Sequence, residues 1–379
     1  MSRQSPQPQP QPQPLPQPRQ QQPQPKRSAS GLTITAGDRI VVTGAAGFIG
    51  SAVVRALLAQ HAHVVALIEP GSDTQSLEGL DVEQIAVDVR DGEAVTKACD
   101  GARFIFHLAA IYRFWAPRAR DFYDVNVGGT LNVLEAARQA GSERVIYTST
   151  VGVIGLDGAA RGEAADETSY ADVAHLFGLY KRTKYVAEHE VLRAAAQGAP
   201  VSLVLPTFPI GPRDTRPTPT GKLVLDFLNG RIPAFVDTTL NVVHVDDLAT
   251  GHLLALERGA VGRSYIIGGE NLGMGPFLAA LAAATSLPEP KWQVPRAFAL
   301  SVGGLSQLVE GRILKREPSV ALESARMSTT NMMFSDRRAR DELGYAPRPT
   351  RNALADSAQW FADNGYVNPK RLRRINIKI

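Results

Sequence analysis

Tyr180 and Lys184 stand four residues apart in LFGLYKRTKYVAEHEVLRAAA, a segment whose apolar residues recur with helical periodicity. Four residues is about one turn, so both side chains leave the same helix face and can reach one ligand. A phenol titrates near ~10 and is a poor base at neutral pH unless a nearby cation favours the phenolate. Lys184 is such a cation. Thr150 ends the apolar run RVIYTST thirty residues upstream. Its hydroxyl can hold a substrate oxygen that Tyr180 protonates or deprotonates. Metal chemistry has no comparable support, because the seven histidines form no His-Glu-x-x-His pattern. Cys99, the only cysteine, excludes an internal disulfide and a thiolate cluster.

These residues need a scaffold, and the first half of the chain supplies one. From Asp38 the sequence reads as a short buried strand, RIVVTG, then AAGFIG, then the helical pattern SAVVRALLAQ. Gly44, Gly47 and Gly50 fall at the spacing of a dinucleotide-binding turn. The first permits the tight exit from the strand, the second a close approach to pyrophosphate, and the third close packing of helix on sheet. The helix N-terminus offers the anion site. A second strand, HVVALIE, ends at Glu69, where a Rossmann unit places the carboxylate for the adenosine ribose. That carboxylate favours NAD; Arg55 on the first helix is the cation that would serve NADP instead. A third strand leads to Asp88 and Val89 at the adenine edge, and a fourth, ARFIFHLAA, ends in Ala109 and Ala110, small enough for a cofactor to lie close to the backbone. His107 within it reads as a hydrogen-bonded core histidine. With NVGGTLNVLEAARQAG and RVIYTST, five strand-helix units alternate, the pattern of an α/β fold with a doubly wound parallel sheet.

Composition bounds the rest. The chain has 379 residues, 44% hydrophobic and 21% charged, enough for a large core. The net charge of +4 resides partly in the basic ends and gives no case for nucleic acid. The first thirty residues alternate Pro and Gln, cannot offset the entropy of ordering, and are expected to be disordered. The first residues lack the apolar run a signal peptide needs and no stretch reaches membrane-spanning length, so no leader and a reducing cytoplasmic location are expected. The ending KRLRRINIKI reads as a solvated terminus, with weak attachment to an anionic membrane surface as the alternative. NVVHVDDLATGHLLALE reads as a last strand and helix of the cofactor half, with Asp246 and Asp247 capping the helix. The expected boundaries are a tail over 1–35, a cofactor half over 36–205 to which 236–269 returns, a smaller substrate part from 206–235 and 270–368, and a basic tail over 369–379. The helices MGPFLAALAAAT and PTRNALADSAQWFADNG are expected to cover the substrate.

TGAAGFIG, DVRD, HLAA, NVGGT, YTSTVGVIG and YKRTK, in that order, resemble the extended short-chain dehydrogenases/reductases over residues 38–366. The longer strings IYRFWAP, PIGPRD, RPTPTG, FVDTTLNVVHVDD, IIGGEN and MMFSD look like the hopanoid-associated sugar epimerases, relatives of the dihydroflavonol reductases. The resemblance implies a homodimer built on helices of the first half, catalysis by Thr150, Tyr180 and Lys184, and further cofactor contacts from Phe48, Ile49, Leu108, Asn126, Pro206, Tyr180 and Lys184. Candidate substrate contacts are Arg113, Trp115, Lys222 and Asn241. The family's usual Ser is Thr150 here, relatives carry a basic residue in place of Glu69, and Leu205 and Phe208 replace expected polar residues, which points to a more apolar pocket.

Three activities compete on this scaffold. A sugar 4,6-dehydratase needs an Asp-Glu pair after the strand-five hydroxyl, and here Val151 and Gly152 follow. A sugar or nucleotide-sugar epimerase, hopanoid-associated by the resemblance, suits Glu69, since NAD is regenerated in each turnover, and is the expected activity. The alternative, a reductase or dehydrogenase of a dihydroflavonol-like or sterol-like carbonyl, uses the same three residues. A non-catalytic dinucleotide sensor would have lost Tyr180 or Lys184. Deleting residues 1–30 is expected to leave the melting temperature and dinucleotide affinity unchanged, as thermal unfolding and NADH titration of the truncated chain would report; a fall of several degrees would refute it.

Overall fold

The computed structural model describes residues 31–113, 118–158, 161–169, 171–172, 176–306, 326 and 329–377. Strands β1 (Arg39–Thr43), β2 (His63–Ile68), β3 (Glu83–Ala86), β4 (Phe104–His107), β5 (Arg144–Thr148), β6 (Val201–Pro206) and β10 (Ser264–Ile267) form one sheet. Its order is β10-β6-β5-β4-β1-β2-β3, and every neighbouring pair is parallel. Such strands are buried on both faces and must be apolar along their length. In β1, Ile40 and Val42 enter one core with Phe104, Phe106, Ile146 and Val204, while Val41 enters the opposite core with Ile105, Val145 and Leu203. Each fully buried aliphatic side chain contributes about 1.5–3 kcal/mol.

Helices cover both faces. α1 (Phe48–Leu58) and α7 (Val245–Arg258) lie on one side, with Val53, Leu57, Leu248 and Leu256 in that core. On the other side lie α2 (Gly92–Ala98), α4 (Gly129–Ala140) and α5 (Leu179–Ala196), contributing Val95, Val133, Ala187 and Val191. The short α3 (Ala119–Tyr123) runs through a π-turn, Asp124–Gly128, into α4. Because β1 pairs with both β2 and β4, the chain reverses its direction of winding there, and the crevice at this switch point is where such sheets bind ligands.

A smaller layer follows β6. β7 (Phe208–Ile210), β9 (Thr239–His244) and β11 (Glu270–Gly273) form a second sheet, β11-β9-β7. α6 (Pro219–Leu228), α8 (Met274–Thr285) and the helix Thr350–Asp363 pack around it in a third core with Phe227, Phe277, Leu281 and Phe361. β8 (Ala234–Phe235) pairs with β12 (Trp292–Gln293), and α9 (Arg296–Ser306) follows.

Four expectations need correction. NVVHV was expected in the cofactor half, but β9 is the middle strand of the small sheet, and Ser264–Ile267 supplies the seventh strand of the large one. α7 is capped by His244, whose Nδ1 accepts from the Asp246 amide at 3.0 Å. Asp246 and Asp247 lie in the first turn and bind Arg213 and Arg348. The amino-terminal tail ends before residue 35, because Ile34 is buried in the first core and the Thr35 amide donates to Asp38. At the other end the basic segment is not simply solvated: Pro369–Leu372 is helical, Ile375 and Ile377 pack on the third core, and the Asn376 amide donates to the Thr285 carbonyl at 3.0 Å.

The tightest point of the fold is the β1-α1 turn. A Cβ on Gly50 would sit 2.1 Å from the Gly44 carbonyl oxygen, and backbone cannot yield there as a side-chain tip can. Gly50→Ala is therefore predicted to cost about 1–3 kcal/mol, the usual range for overpacking, with a matching fall in melting temperature. A denaturant titration showing wild-type stability would contradict the close-packing role.

Candidate active site

Gly44 adopts φ +66°, and a Cβ there would lie 2.7 Å from the Ala109 amide nitrogen. The end of β1 is thus pressed against the exit of β4. Thr43 Oγ1 secures this contact, accepting from the Leu108 and Ala109 amides at 3.2 and 3.1 Å. Gly47 caps α1 with no side chain over the helix start, and its amide donates to the Gly44 carbonyl at 3.0 Å. Phe48 and Ile49, half-buried, form the first turn. A bare backbone turn before an N-terminus of eleven residues of helix fits a dinucleotide pyrophosphate.

Glu69 stands exposed just after β2, accepting from Ser72 Oγ at 3.4 Å. Asp88 follows β3 and binds Arg90 through both carboxylate oxygens, each 2.9 Å from Arg90 Nε, which holds the Asp88 carboxyl below the usual carboxylate range. Val89 is buried beside Gly129. Arg55, considered as a phosphate partner, is instead half-buried between α1 and α7, with Nη1 on the Ser51 carbonyl at 3.2 Å and Arg213 and Asp246 nearby. Ala110 and Pro206 lie at the ends of β4 and β6, on the same edge of the sheet.

His107 is the core residue its setting suggested. Its ring nitrogens meet Thr43 Oγ1 at 2.7 Å and Thr130 Oγ1 at 3.0 Å, and burial drives its pKa down to about 3. Asn126, on the π-turn, was expected at the cofactor, yet it is only 1% exposed and its amide bonds inward. Oδ1 accepts from the Ile111 amide at 2.7 Å, and Nδ2 donates to Thr183 Oγ1 at 2.9 Å. It thereby ties the segment after β4 to α5.

Lys184 is 3% exposed, with Nζ donating to the Thr148 carbonyl at 2.7 Å and lying 4.3 Å from the centroid of the Tyr147 ring. Burial pushes its ammonium down to about 7, with Glu188 acting in the opposite sense. One turn earlier, Tyr180 is half-buried, its ring 4.9 Å from that of Tyr112. Thr150 leaves β5 in extended conformation and accepts from the Gly152 amide at 3.0 Å, which leaves its hydroxyl hydrogen for a substrate oxygen.

Tyr180 and Thr150 share the wall of a cavity of about 450 Å³. Its remaining walls are mainly apolar: Ile154, Leu156, Leu176, Phe177, Phe208, Leu223, Leu240, Met274, Met332 and Phe334. Arg326 lies over the Phe177 ring at 4.2 Å and also lines the cavity. The expected apolar contact from Phe208 is present, whereas Leu205 is buried in the sheet core. Asn241 lines the cavity, but its side chain is consumed by the backbone of Gly269 and Phe334 and by Asn271. Lys222 is 60% exposed and paired with Asp226 at 2.6 Å; Thr220 and Leu223 are the α6 residues that line the cavity. Arg113 is exposed and outside the described wall, and Trp115 lies outside the described residues. Met274 of α8 reaches the cavity, while Thr350–Asp363 packs behind α6 and α8 and does not line it. Sequence reasoning missed Tyr112, whose aromatic type was the only local signal, and the apolar wall from Met332 and Phe334.

Comparison with known proteins agrees with this geometry. The model of the NAD dependent epimerase/dehydratase family matches residues 40–268. The chain belongs to that family. It is 40% identical over 338 residues to a "Putative dihydroflavonol 4-reductase" of Synechocystis, covering 88% of this chain and 97% of the relative. It is 34% identical over 329 residues to "Sterol demethylase protein B" of Methylococcus capsulatus, covering 86% and 99%. Among solved structures, that of gox2253 is similar with a TM-score of 0.77 at 40% identity, over 88% of this chain and all of that one. The chain is accordingly an NAD(P)-dependent epimerase or oxidoreductase with a Rossmann-like fold. Among the described residues no helix is long and apolar enough to cross a membrane.

Tyr180→Phe removes the one hydroxyl on α5 that faces both the cavity and the Lys184 side of the helix. It is predicted to lower turnover about a hundredfold or more while leaving NADH affinity within about twofold. Steady-state rates alongside fluorescence titration of NADH check this, and a variant that keeps most of its rate would remove Tyr180 from the mechanism.

Proposed function

We propose that this family member is an NAD-dependent dehydrogenase/reductase that interconverts a secondary alcohol and a ketone on a hydrophobic, sterol-like or flavonoid-like body. The observation that carries this reading is the apolar cavity that opens on Tyr180 and Thr150. A nucleotide-sugar would bring a diphosphate and many hydroxyls into that space, each costly to strip of water without a partner. Ten large apolar side chains dominate the described wall. Its polar members beyond Tyr112, Thr150 and Tyr180 are Asp157, Asp172, Lys181, Arg326, four threonines and Asn241, so a diphosphate would meet two carboxylates as well as two cations, and Asn241 already has its hydrogen bonds filled. The names of the two relatives, a dihydroflavonol reductase and a sterol demethylase protein, point to bodies of the same character.

In this reading Gly44, Gly47 and Gly50 admit the pyrophosphate to the α1 N-terminus, and Glu69 accepts from the adenosine ribose. Asp88 and Val89 flank the adenine edge, Leu108, Ala109, Ala110 and Pro206 form the floor, and Lys184 reaches the nicotinamide ribose. The nicotinamide, when bound, supplies the acceptor or donor of hydride. Thr150 donates a hydrogen bond to the substrate oxygen. Tyr180 takes the hydroxyl proton as the alcohol is oxidised and returns it as the ketone is reduced. Lys184 stabilises the phenolate that takes the proton and that is left once the proton is returned, and the apolar wall excludes water from the reacting carbon.

A redox-neutral sugar epimerisation keeps one observation in its favour: Glu69 suits a cofactor that is regenerated in place. The two readings separate in one experiment, in which purified protein is given NAD with either a panel of polycyclic secondary alcohols or UDP-glucose. NADH is predicted to accumulate with a member of the apolar panel, seen at its near-ultraviolet absorbance. Conversion of the sugar to its epimer without net NADH would sink the dehydrogenase reading and establish the other.

A further inference from the structure

α5 carries a third polar side chain in line with Tyr180 and Lys184. Glu188 lies one further turn along the helix, partly buried, and Ser149 Oγ donates a hydrogen bond to its Oε2. Ser149 itself is 3% exposed and stands between Thr148, whose carbonyl accepts from Lys184, and Thr150. The end of β5 and the face of α5 are therefore joined by two adjacent hydrogen bonds. The mechanism above uses only one of them.

The surroundings of Lys184 show what the second can do. The groups that face it are the Tyr147 ring and Thr148 carbonyl from β5, His107 from β4, and Tyr180 and Glu188 on its own helix. His107 is neutral at any physiological pH, and neither Tyr147 nor the carbonyl carries a formal charge. Apart from the Tyr180 phenolate that the lysine serves, Glu188 is the group here that can bring a negative charge near the ammonium. The groups that face Glu188 are Ser149 and Tyr147 from β5, with Lys184, Tyr185 and His189 on α5. Burial raises the Glu188 carboxyl, while the Ser149 hydroxyl, Lys184 and His189 favour its ionised form. The partners on each side match the charged states: a hydroxyl donor for a carboxylate, and a carbonyl with an aromatic face for an ammonium.

We propose that Glu188, fixed by Ser149, is a positioning residue that supplies the counter-charge holding Lys184 in its ammonium form. The proposal rests on the reading of Lys184 as the cation that serves Tyr180. Its consequence is that the pH range over which Tyr180 works is set one turn beyond the residues that touch substrate. Loss of the carboxylate leaves the buried lysine to its desolvation, so the neutral amine forms at lower pH.

The test observes Lys184 directly and needs no substrate. Lysine labelled with carbon-13 at Cε is incorporated into the full chain, the Lys184 signal is identified by its loss in Lys184→Met, and its titration is followed by NMR. In Glu188→Gln, which keeps the size and can still accept from Ser149, the Lys184 midpoint should fall by about one pH unit or more, the scale expected on losing a neighbouring opposite charge. Glu188→Asp should restore part of the shift, and Ser149→Ala should give a smaller fall. NADH affinity, read by fluorescence, should weaken in Glu188→Gln above the lowered midpoint. An unchanged midpoint in a folded Glu188→Gln protein overturns the proposal, as does an equal fall in the Gln and Asp variants. If Glu188→Gln does not fold, an unchanged midpoint in Ser149→Ala overturns it. Failure of the underlying reading would show separately, as full activity of Tyr180→Phe.

Discussion

A single buried ammonium constrains the catalytic half of this molecule. An isolated cation taken from water costs several kcal/mol unless its donors are satisfied, and Lys184 is almost wholly enclosed. Its carbonyl partner is that of Thr148, the last residue of β5. α5 must then cross the end of β5 at one height and one rotation, which sets Tyr180 at the cavity and Thr150 opposite it. The other side of α5 is held by Asn126, whose amide spans from Ile111 to Thr183. The π-turn that carries Asn126 adds a residue to the helix ladder, a local cost that π-turns at functional sites commonly bear. Between these two ties Tyr180 has little freedom, which suits the proton transfer proposed for it.

Features fixed by neighbours in sequence were readable from the sequence. The glycine spacing and the one-turn interval of Tyr180 and Lys184 are local and present in the structure, as is the alternation of strands with helices except after β2, where only the three-residue 3₁₀ turn Gln75–Leu77 precedes β3. Features fixed by distant partners were not. NVVHV is as apolar as a central strand should be, and nothing within it reveals that its partners are Phe208–Ile210 and Glu270–Gly273. Lys222 misled for a different reason. On α6, Pro219, Thr220 and Leu223 share the cavity face at helical spacing, and Lys222 points about a third of a turn away from that face. That rotation was legible, but only once the inward face was known. Asn241 shows the converse error, a polar residue at the right place whose hydrogen bonds are already spent on holding two loops together.

The separation of these two kinds of information has a chemical meaning. The residues proposed to handle the proton come from one strand end and one helix, so their geometry is set by local packing. The cavity wall comes from Ile154, Leu156, Phe177, Leu223, Met274 and Met332, spread over five separate stretches of chain. Substitutions in the wall can alter what is accepted without disturbing Lys184 or its ties. That independence is how a family containing both epimerases and reductases can share one acid-base device, and it is why substrate class must be argued from the wall rather than from Tyr180 and Lys184.

The same reasoning applied to the adenosine end concerns which dinucleotide is accepted. Selection of a 2'-phosphate requires a cation whose donors are free to receive it. Arg55 does not meet this requirement, since it is bonded to the Ser51 carbonyl and shares its surroundings with Arg213 and Asp246. Arg90 lies close enough to Glu69 to feel its charge, but its guanidinium is gripped by both oxygens of Asp88. The carboxylate of Glu69 is exposed at the end of β2 and accepts a hydrogen bond from Ser72. Negative charge is therefore presented at this position while the nearby positive charge is already neutralised. A phosphate arriving there would meet repulsion without compensation, whereas a ribose diol would meet an acceptor, and the balance favours NAD.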